Sequence, residues 1–321
     1  MPPVTSTPSP LAEPRPSRAG AWIADSPFLI YLTPTIWGAT FPAMKLALDS
    51  LPILSAMAWS RGLGALAVAA TLPLLARGHL SRAALRRVAG PGLLLGTFIF
   101  LGYTLQTWGL DLTTATNAGF ITGLYVVFTP VLALLLFREA TGVWVWVAVA
   151  ISVAGMALLS VPALDDLSLN SGDLLVLGSA VAWAAHIVAL GRFAPRYAAL
   201  PLSFAQMAAA ALLHLVVALL GPGLRGADAA SIWHLLAITG VLGSGVAFTL
   251  QVLAQRKIDA ARAVVILAGE SLSAAVFAAF WLGERLLVHQ WVGAALVLAA
   301  MTVSELGARR RAIHLEPSSA A

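Results

Sequence analysis

Glu270 stands out first. It lies in "LAGESLS", inside a long apolar block, with Gly269 and Ser271 leaving room beside it. Ionisable groups are costly in hydrocarbon and usually face a protein interior or a water-filled cavity. A carboxyl group whose surroundings alternate between dry and wet can load and release a proton. Two readings stand side by side: Glu270 takes up and releases a proton or cation, or it is a structural partner of Arg61. Arg61 sits in "AWSRGLG", within another apolar block. Its guanidinium keeps its charge, so it either holds a substrate carboxylate or neutralises Glu270.

Other polar and aromatic groups are spaced to line a cavity. Trp37 and Trp183 lie about ten residues inside their blocks, too deep for interface anchors. His186 follows Trp183 by one helical turn and shares its face. Tyr103 and Gln106 are likewise one turn apart. With Gln251, these residues describe a pocket with aromatic walls and few polar contacts. The plainer reading of Gln106, Gln206 and Gln251 is hydrogen bonding between helices, worth about 0.6 kcal/mol each. An isolated His in a helix is more often a satisfied interior residue, and Asn117 and His214 are weaker candidates still. Lys45 and Arg262 lie near helix ends, where long side chains snorkel to headgroups.

Enzyme chemistry finds little support. There is no Cys, no H-E-x-x-H, no G-x-S-x-G and no nucleotide-binding loop. "GSGVAF" (243–248) reads as a Gly-rich helix. The sequence therefore predicts a non-enzyme with no cofactor and no bound metal.

The elements that must position these residues are apolar blocks at 28–48, 52–76, 89–110, 114–137, 142–161, 173–191, 200–221, 232–254, 263–282 and 288–306. Each has roughly 20 residues, enough to cross a hydrocarbon core. Hydrophobic residues make up 60% of the 321-residue chain and charged residues only 10%, against about 25% charged in soluble domains. The blocks are apolar nearly all round, which a soluble helical core would not be. The expected fold is an all-α integral membrane protein with ten transmembrane helices. Residues 1–26, rich in Pro, Ser and Thr, read as a disordered tail, and 308–321 as a second tail.

Charge sets the expected orientation. Most of the 19 basic residues fall in the N-terminal tail, 77–88, 138–139, 192–197, 256–257 and 309–311. Alternate loops hold only Arg225 and Arg285, and the loop at 162–172 is acidic. By the positive-inside rule both termini face the cytoplasm. The net charge of +5 is thus accounted for by topology, with no nucleic-acid site. The excess of Arg over Lys, with much Ala, points to a GC-rich bacterial genome and so to the cytoplasmic membrane.

The halves also match each other. Laying 104–139 on 249–284 without a gap pairs Thr104-Leu105-Gln106 with Thr249-Leu250-Gln251. It also pairs Ala118 with Ala263, Ile121 with Ile266, and Glu139 with Glu284. Trp37 and Trp183 occupy the first helix of each half. The chain reads as two five-helix repeats, 27–161 and 173–307, of opposite topology because five is odd. Secondary transporters are built this way, with a substrate site near the midplane. Glu139 and Glu284 read as structural, capping the N-termini of the fifth and tenth helices, where the helix dipole favours an anion. Pro34, Pro42 and Pro130 offer hinge points or ordinary kinks.

In these features the sequence resembles the drug/metabolite transporter superfamily, in its EamA-type branch. The residues that carry the resemblance are "IWGATFPAMKLAL", "WSRGLGALAVAA", "GLDLTTATNAGFITGLYVVFTPVLALLLFRE" and "AGESLSAAVFAAFWLGE". It spans about 28–306 and implies ten helices, a cytoplasmic N-terminus and export of small metabolites or drugs. Ser271 departs from the family pattern, which often has Pro after this Glu. The expected partners are a small-molecule substrate and membrane lipid, with a homodimer left open. An uncoupled facilitator on the same scaffold is the alternative function.

Overall fold

The computed structural model describes residues 30–75, 82–160, 170–283 and 285–315. Residues 1–26, 162–169 and 316–321 lie outside them, as does Glu284; the second predicted tail is corrected in part, since 308–315 continue the helix that begins at Val288. All regular structure among the described residues is helical. Among the described residues eight helical stretches are long and apolar enough to cross a membrane, and Val143–Leu159 is a shorter apolar one.

The first half comprises α1 (Leu32–Leu48), α2 (Ile53–Leu75), α3 (Arg82–Leu112), α4 (Ala115–Gly123), α5 (Tyr125–Phe137) and α6 (Val143–Ser160). The second comprises α7 (Ser171–Phe193), α8 (Ala199–Leu220), short α9 (Gly226–Ser231) and α10 (Trp233–Ala237), then α11 (Ala247–Gln255), α12 (Ala260–Leu267), α13 (Glu270–Leu282) and α14 (Val288–Leu315). A π-helical stretch, Ile238–Val246, joins α10 to α11.

Most of the inter-half packing pairs up under exchange of the halves. Where α3 packs on α7, the π stretch and α11 pack on α1. Where α3 packs on α8, the π stretch packs on α2. The α1–α13 contact has its counterpart in α7–α5, and α4–α13 in α12–α5. The pairs α2–α8 and α6–α14 are their own counterparts. With lipid as apolar as the helices, close packing of small residues is a main source of cohesion. Gly155 and Gly293 show it at the α6–α14 crossing: a Cβ on Gly155 would stand 2.7 Å from the Gly293 carbonyl oxygen.

Two blocks expected to be continuous helices are broken near their middles, at matching positions. The Leu124 amide bonds back to the Ile121 carbonyl and the Gly269 amide to the Ile266 carbonyl, each three residues earlier and each at 3.1 Å. This local tightening separates α4 from α5 and α12 from α13. Glu270, expected in mid-helix, is therefore the first residue of α13. Both second pieces also end alike, with a left-handed residue: Arg138 (φ 56°) after α5 and Gly283 (φ 70°) after α13. Glycine adopts this conformation without the Cβ penalty. Arg138→Gly is therefore expected to stabilise the protein by up to about 1 kcal/mol, read as a higher midpoint in detergent unfolding.

Three local expectations need correction. Glu139 does not sit in the first turn of a following helix, since α6 begins at Val143. Its carboxylate instead pairs with Arg192 at the end of α7, at 2.8 Å. Lys45 does not snorkel outward; its Nζ donates to the carbonyls of Leu110, Asp111 and Thr113 at the end of α3. Arg262 is held by both carboxylate oxygens of Glu305 on α14.

Candidate functional site

A cavity of about 370 Å³ lies between α1, α3, α4 and α5 of the first half and α7, α11 and α13 of the second. Trp37, Tyr103, Gln106, Trp183, His186, Gln251 and Glu270, singled out from sequence, all line it. Sequence reasoning missed Phe41, Thr40, Thr122 and Tyr125, which line it too. A signal for Tyr125 was present: the repeat alignment lays it on Glu270.

The aromatic wall is a repeat-related pair of contacts. Trp37 packs on Phe248 at 5.0 Å between ring centroids. Trp183 packs edge-on to Tyr103 at 4.7 Å. Phe248 and Tyr103 are counterparts in the alignment, so α1 places a Trp on an aromatic ring of α11 and α7 places one on an aromatic ring of α3. Phe248 also touches Tyr103, Trp183 and His186, at 6.1, 5.9 and 5.6 Å. It is fully buried and serves as the hub of this cluster.

The polar groups break the symmetry. Gln106 is fully engaged: its Oε1 accepts from the Trp183 indole at 3.2 Å, and its Nε2 donates to Thr122 Oγ1 at 3.3 Å. Gln251, its counterpart, is buried with neither amide atom partnered. The cause is local. Leu267 stands where the alignment has Thr122, so one acceptor is missing. The Trp37 indole donates instead to the Gly243 carbonyl, at 2.9 Å. Gly243 belongs to the π-helical stretch, whose wide turns leave carbonyls free for side chains. Such segments are frequent at functional sites. The reading of 243–248 as an ordinary Gly-rich helix is thus corrected for residues 243–246.

Glu270 sits beside Gln251 in the same wall. It is 3% exposed, and its Oε1 has no hydrogen-bond partner. The Tyr125 hydroxyl stands near the carboxyl without a well-formed bond to it. Among the described residues Glu270 is the one carboxyl group lining the cavity. His186 is fixed by a 3.0 Å contact of Nε2 with Gln206 Oε1. His214 is farther off, held by the Ala210 carbonyl and Thr104. Asn117 lies outside the cavity and donates to Asp173 at 2.7 Å.

Arg61 and Glu270 do not form an ion pair among the described residues. Arg61 lies against Tyr103, its guanidinium carbon 3.5 Å from the ring centroid. Tyr103 borders both the Glu270 cavity and a second one that contains Arg61.

Two repeats of helices long and apolar enough to cross a membrane, packed around a shared cavity with a buried carboxyl at a helix break, have the architecture of a transporter-type membrane protein. Residues 26–161 and 170–305 each match the EamA-like transporter family. The chain belongs to that family, whose members are transporters, and is a multi-pass membrane protein. It is similar to a protein of Archaeoglobus fulgidus described as an uncharacterized transporter, at 33% identity over 275 residues, covering 86% of this chain and 84% of the relative. A solved crystal structure shares the fold, with a TM-score of 0.70 at 20% identity, over 94% of this chain and 99% of that one.

Proposed function

We propose that the chain is a proton-coupled secondary exporter of a small organic metabolite or drug, working by alternating access. The carrying observation is Glu270, a buried carboxyl with an unpartnered oxygen, placed at a helix break in the wall of the shared cavity. Transporter sites are typically built from discontinuous helices at a repeat interface. A half-helix N-terminus supplies a local field that changes as the break flexes.

In this reading α1 and α6 complete ten spans with the eight longer ones. Each half contributes five, and the second enters the membrane from the opposite side. The contacts that pair up under exchange of the halves support a pseudo-two-fold axis in the membrane plane. Both termini face the cytoplasm, 162–172 is external, and the protein resides in the cytoplasmic membrane. Rocking of one half on the other about α2–α8 and α6–α14 exposes the cavity to each side in turn.

The test is reconstitution in liposomes with a pH-sensitive dye inside. Amino acids, nucleosides and cationic drugs are screened for solute-driven proton flux. Flux with at least one class is the expected result. Solute uptake with no proton signal would make the protein an uncoupled facilitator instead.

A further inference from the structure

The second cavity, about 290 Å³, adjoins the first and shares Tyr103 and Gln106 with it. Arg61 reaches it from α2 and is 1% exposed. Its Nη2 donates to Ser60 Oγ at 2.7 Å and to the Thr239 carbonyl at 3.2 Å. Thr239 belongs to the π-helical stretch, and its side chain accepts a bond from Ser60 at 2.8 Å. The guanidinium is thus clamped on one side by the π stretch and on another by the Tyr103 face. Its Nε and Nη1 make no well-formed hydrogen bond, although the Tyr103 side chain stands close by, and no carboxylate pairs with it among the described residues.

A buried guanidinium needs a counter-charge, because desolvating a lone ion is strongly unfavourable. The ring quadrupole of Tyr103 offsets part of that cost and no more. Open donors on two nitrogens of a fixed, planar cation suit a carboxylate better than a point acceptor. Thr107, a further polar group in the lining, donates to Met57 Sδ. Among the described residues no other charged side chain lines this compartment.

We propose that the Arg61 compartment is an anion subsite of the transport path and takes the carboxylate of a small organic anion. The solute's apolar body then lies along Phe41 and Tyr103, which border both cavities. This rests on reading the cavities as the path of transport. A resident chloride ion would satisfy the same guanidinium, so the test separates the two sources.

The purified full chain in an uncharged detergent is titrated with phenylacetate, 2-phenylethanol and 2-phenylethylamine, following tryptophan fluorescence. The three probes share one aryl body and differ in charge, so the comparison needs no variant. Phenylacetate is expected to bind at least tenfold more tightly than either of the others. Arg61→Gln should remove that preference, and Arg61→Lys should retain part of it. Equal binding of the three probes, or a preference that survives Arg61→Gln, overturns the proposal. Chloride that competes at the affinity of phenylacetate also overturns it, since the aryl body would then contribute nothing and the subsite would be that of an inorganic ion. Because binding is read without transport, charge-selective binding with no proton flux sinks only the coupled-exporter reading. Proton flux with no charge preference sinks only the subsite.

Discussion

Glu270→Gln is expected to abolish solute-driven proton movement in liposomes while leaving the protein folded and able to exchange solute. The amide has nearly the size of the carboxyl, so the wall it forms with Gln251 and Tyr125 keeps its shape. What changes is chemical: an amide cannot release a proton. The other cavity groups supply no obvious substitute, since the His186 ring is fully buried and already held by Gln206. The informative pair of measurements is dye-reported proton flux and radiolabelled solute counterflow on the same vesicles. Loss of the first with survival of the second assigns coupling to Glu270. Loss of neither removes Glu270 from coupling. Loss of both, with an unchanged elution profile in detergent, would place Glu270 in substrate binding instead. Glu270→Asp restores the titratable group one methylene shorter, and partial recovery of proton flux is the expected control.

Gly293→Leu is expected to be strongly destabilising. At the α6–α14 crossing a Cβ on Gly293 would lie 2.9 Å from the Leu159 amide nitrogen. Backbone cannot swing aside as a flexible side chain does, so the two helices must part along their length. Overpacking typically costs about 1–3 kcal/mol, and the upper part of that range is expected where the obstacle is main chain. Gly90→Ala is the matched control, because a Cβ there meets nothing within 4 Å. Thermal unfolding in detergent should show an earlier midpoint for Gly293→Leu and a nearly unchanged one for Gly90→Ala. Equal midpoints for both variants and the parent chain would mean that this crossing is looser than its geometry indicates.

Much of the architecture was legible because a bilayer imposes length and apolarity on each span, and both survive in composition. The repeat was legible from Thr104-Leu105-Gln106 and Thr249-Leu250-Gln251. The helix breaks were not. Leu124 and Gly269 keep right-handed backbone angles, and no Pro marks either position. The break is a shift from four-residue to three-residue hydrogen bonding, which leaves no residue-type signature. The π stretch was hidden for a similar reason, since "ITGVLGSGV" serves equally as an α-helix of small residues. The cavity side chains were readable as lone polar groups in apolar blocks. Their division of labour was not, because it depends on Leu267 replacing Thr122 and on the Trp37 indole being drawn to Gly243. The neutralisation of Glu270 by Arg61, one of two readings from sequence, has no counterpart in the geometry.

The lone carboxyl in the cavity bears on energy conversion. With Glu270 as the coupling group, a cycle carries at most one proton. One charge crossing a membrane potential of 100 mV is worth roughly 2.3 kcal/mol, so an uncharged solute could be concentrated about 40- to 50-fold for each 100 mV of voltage. A monoanion leaving as a proton enters moves two charges in the same electrical sense. Voltage then counts twice in the driving force while the pH difference counts once. A cell with a large membrane potential and a small pH gradient would expel anions with this stoichiometry far more effectively than neutral compounds.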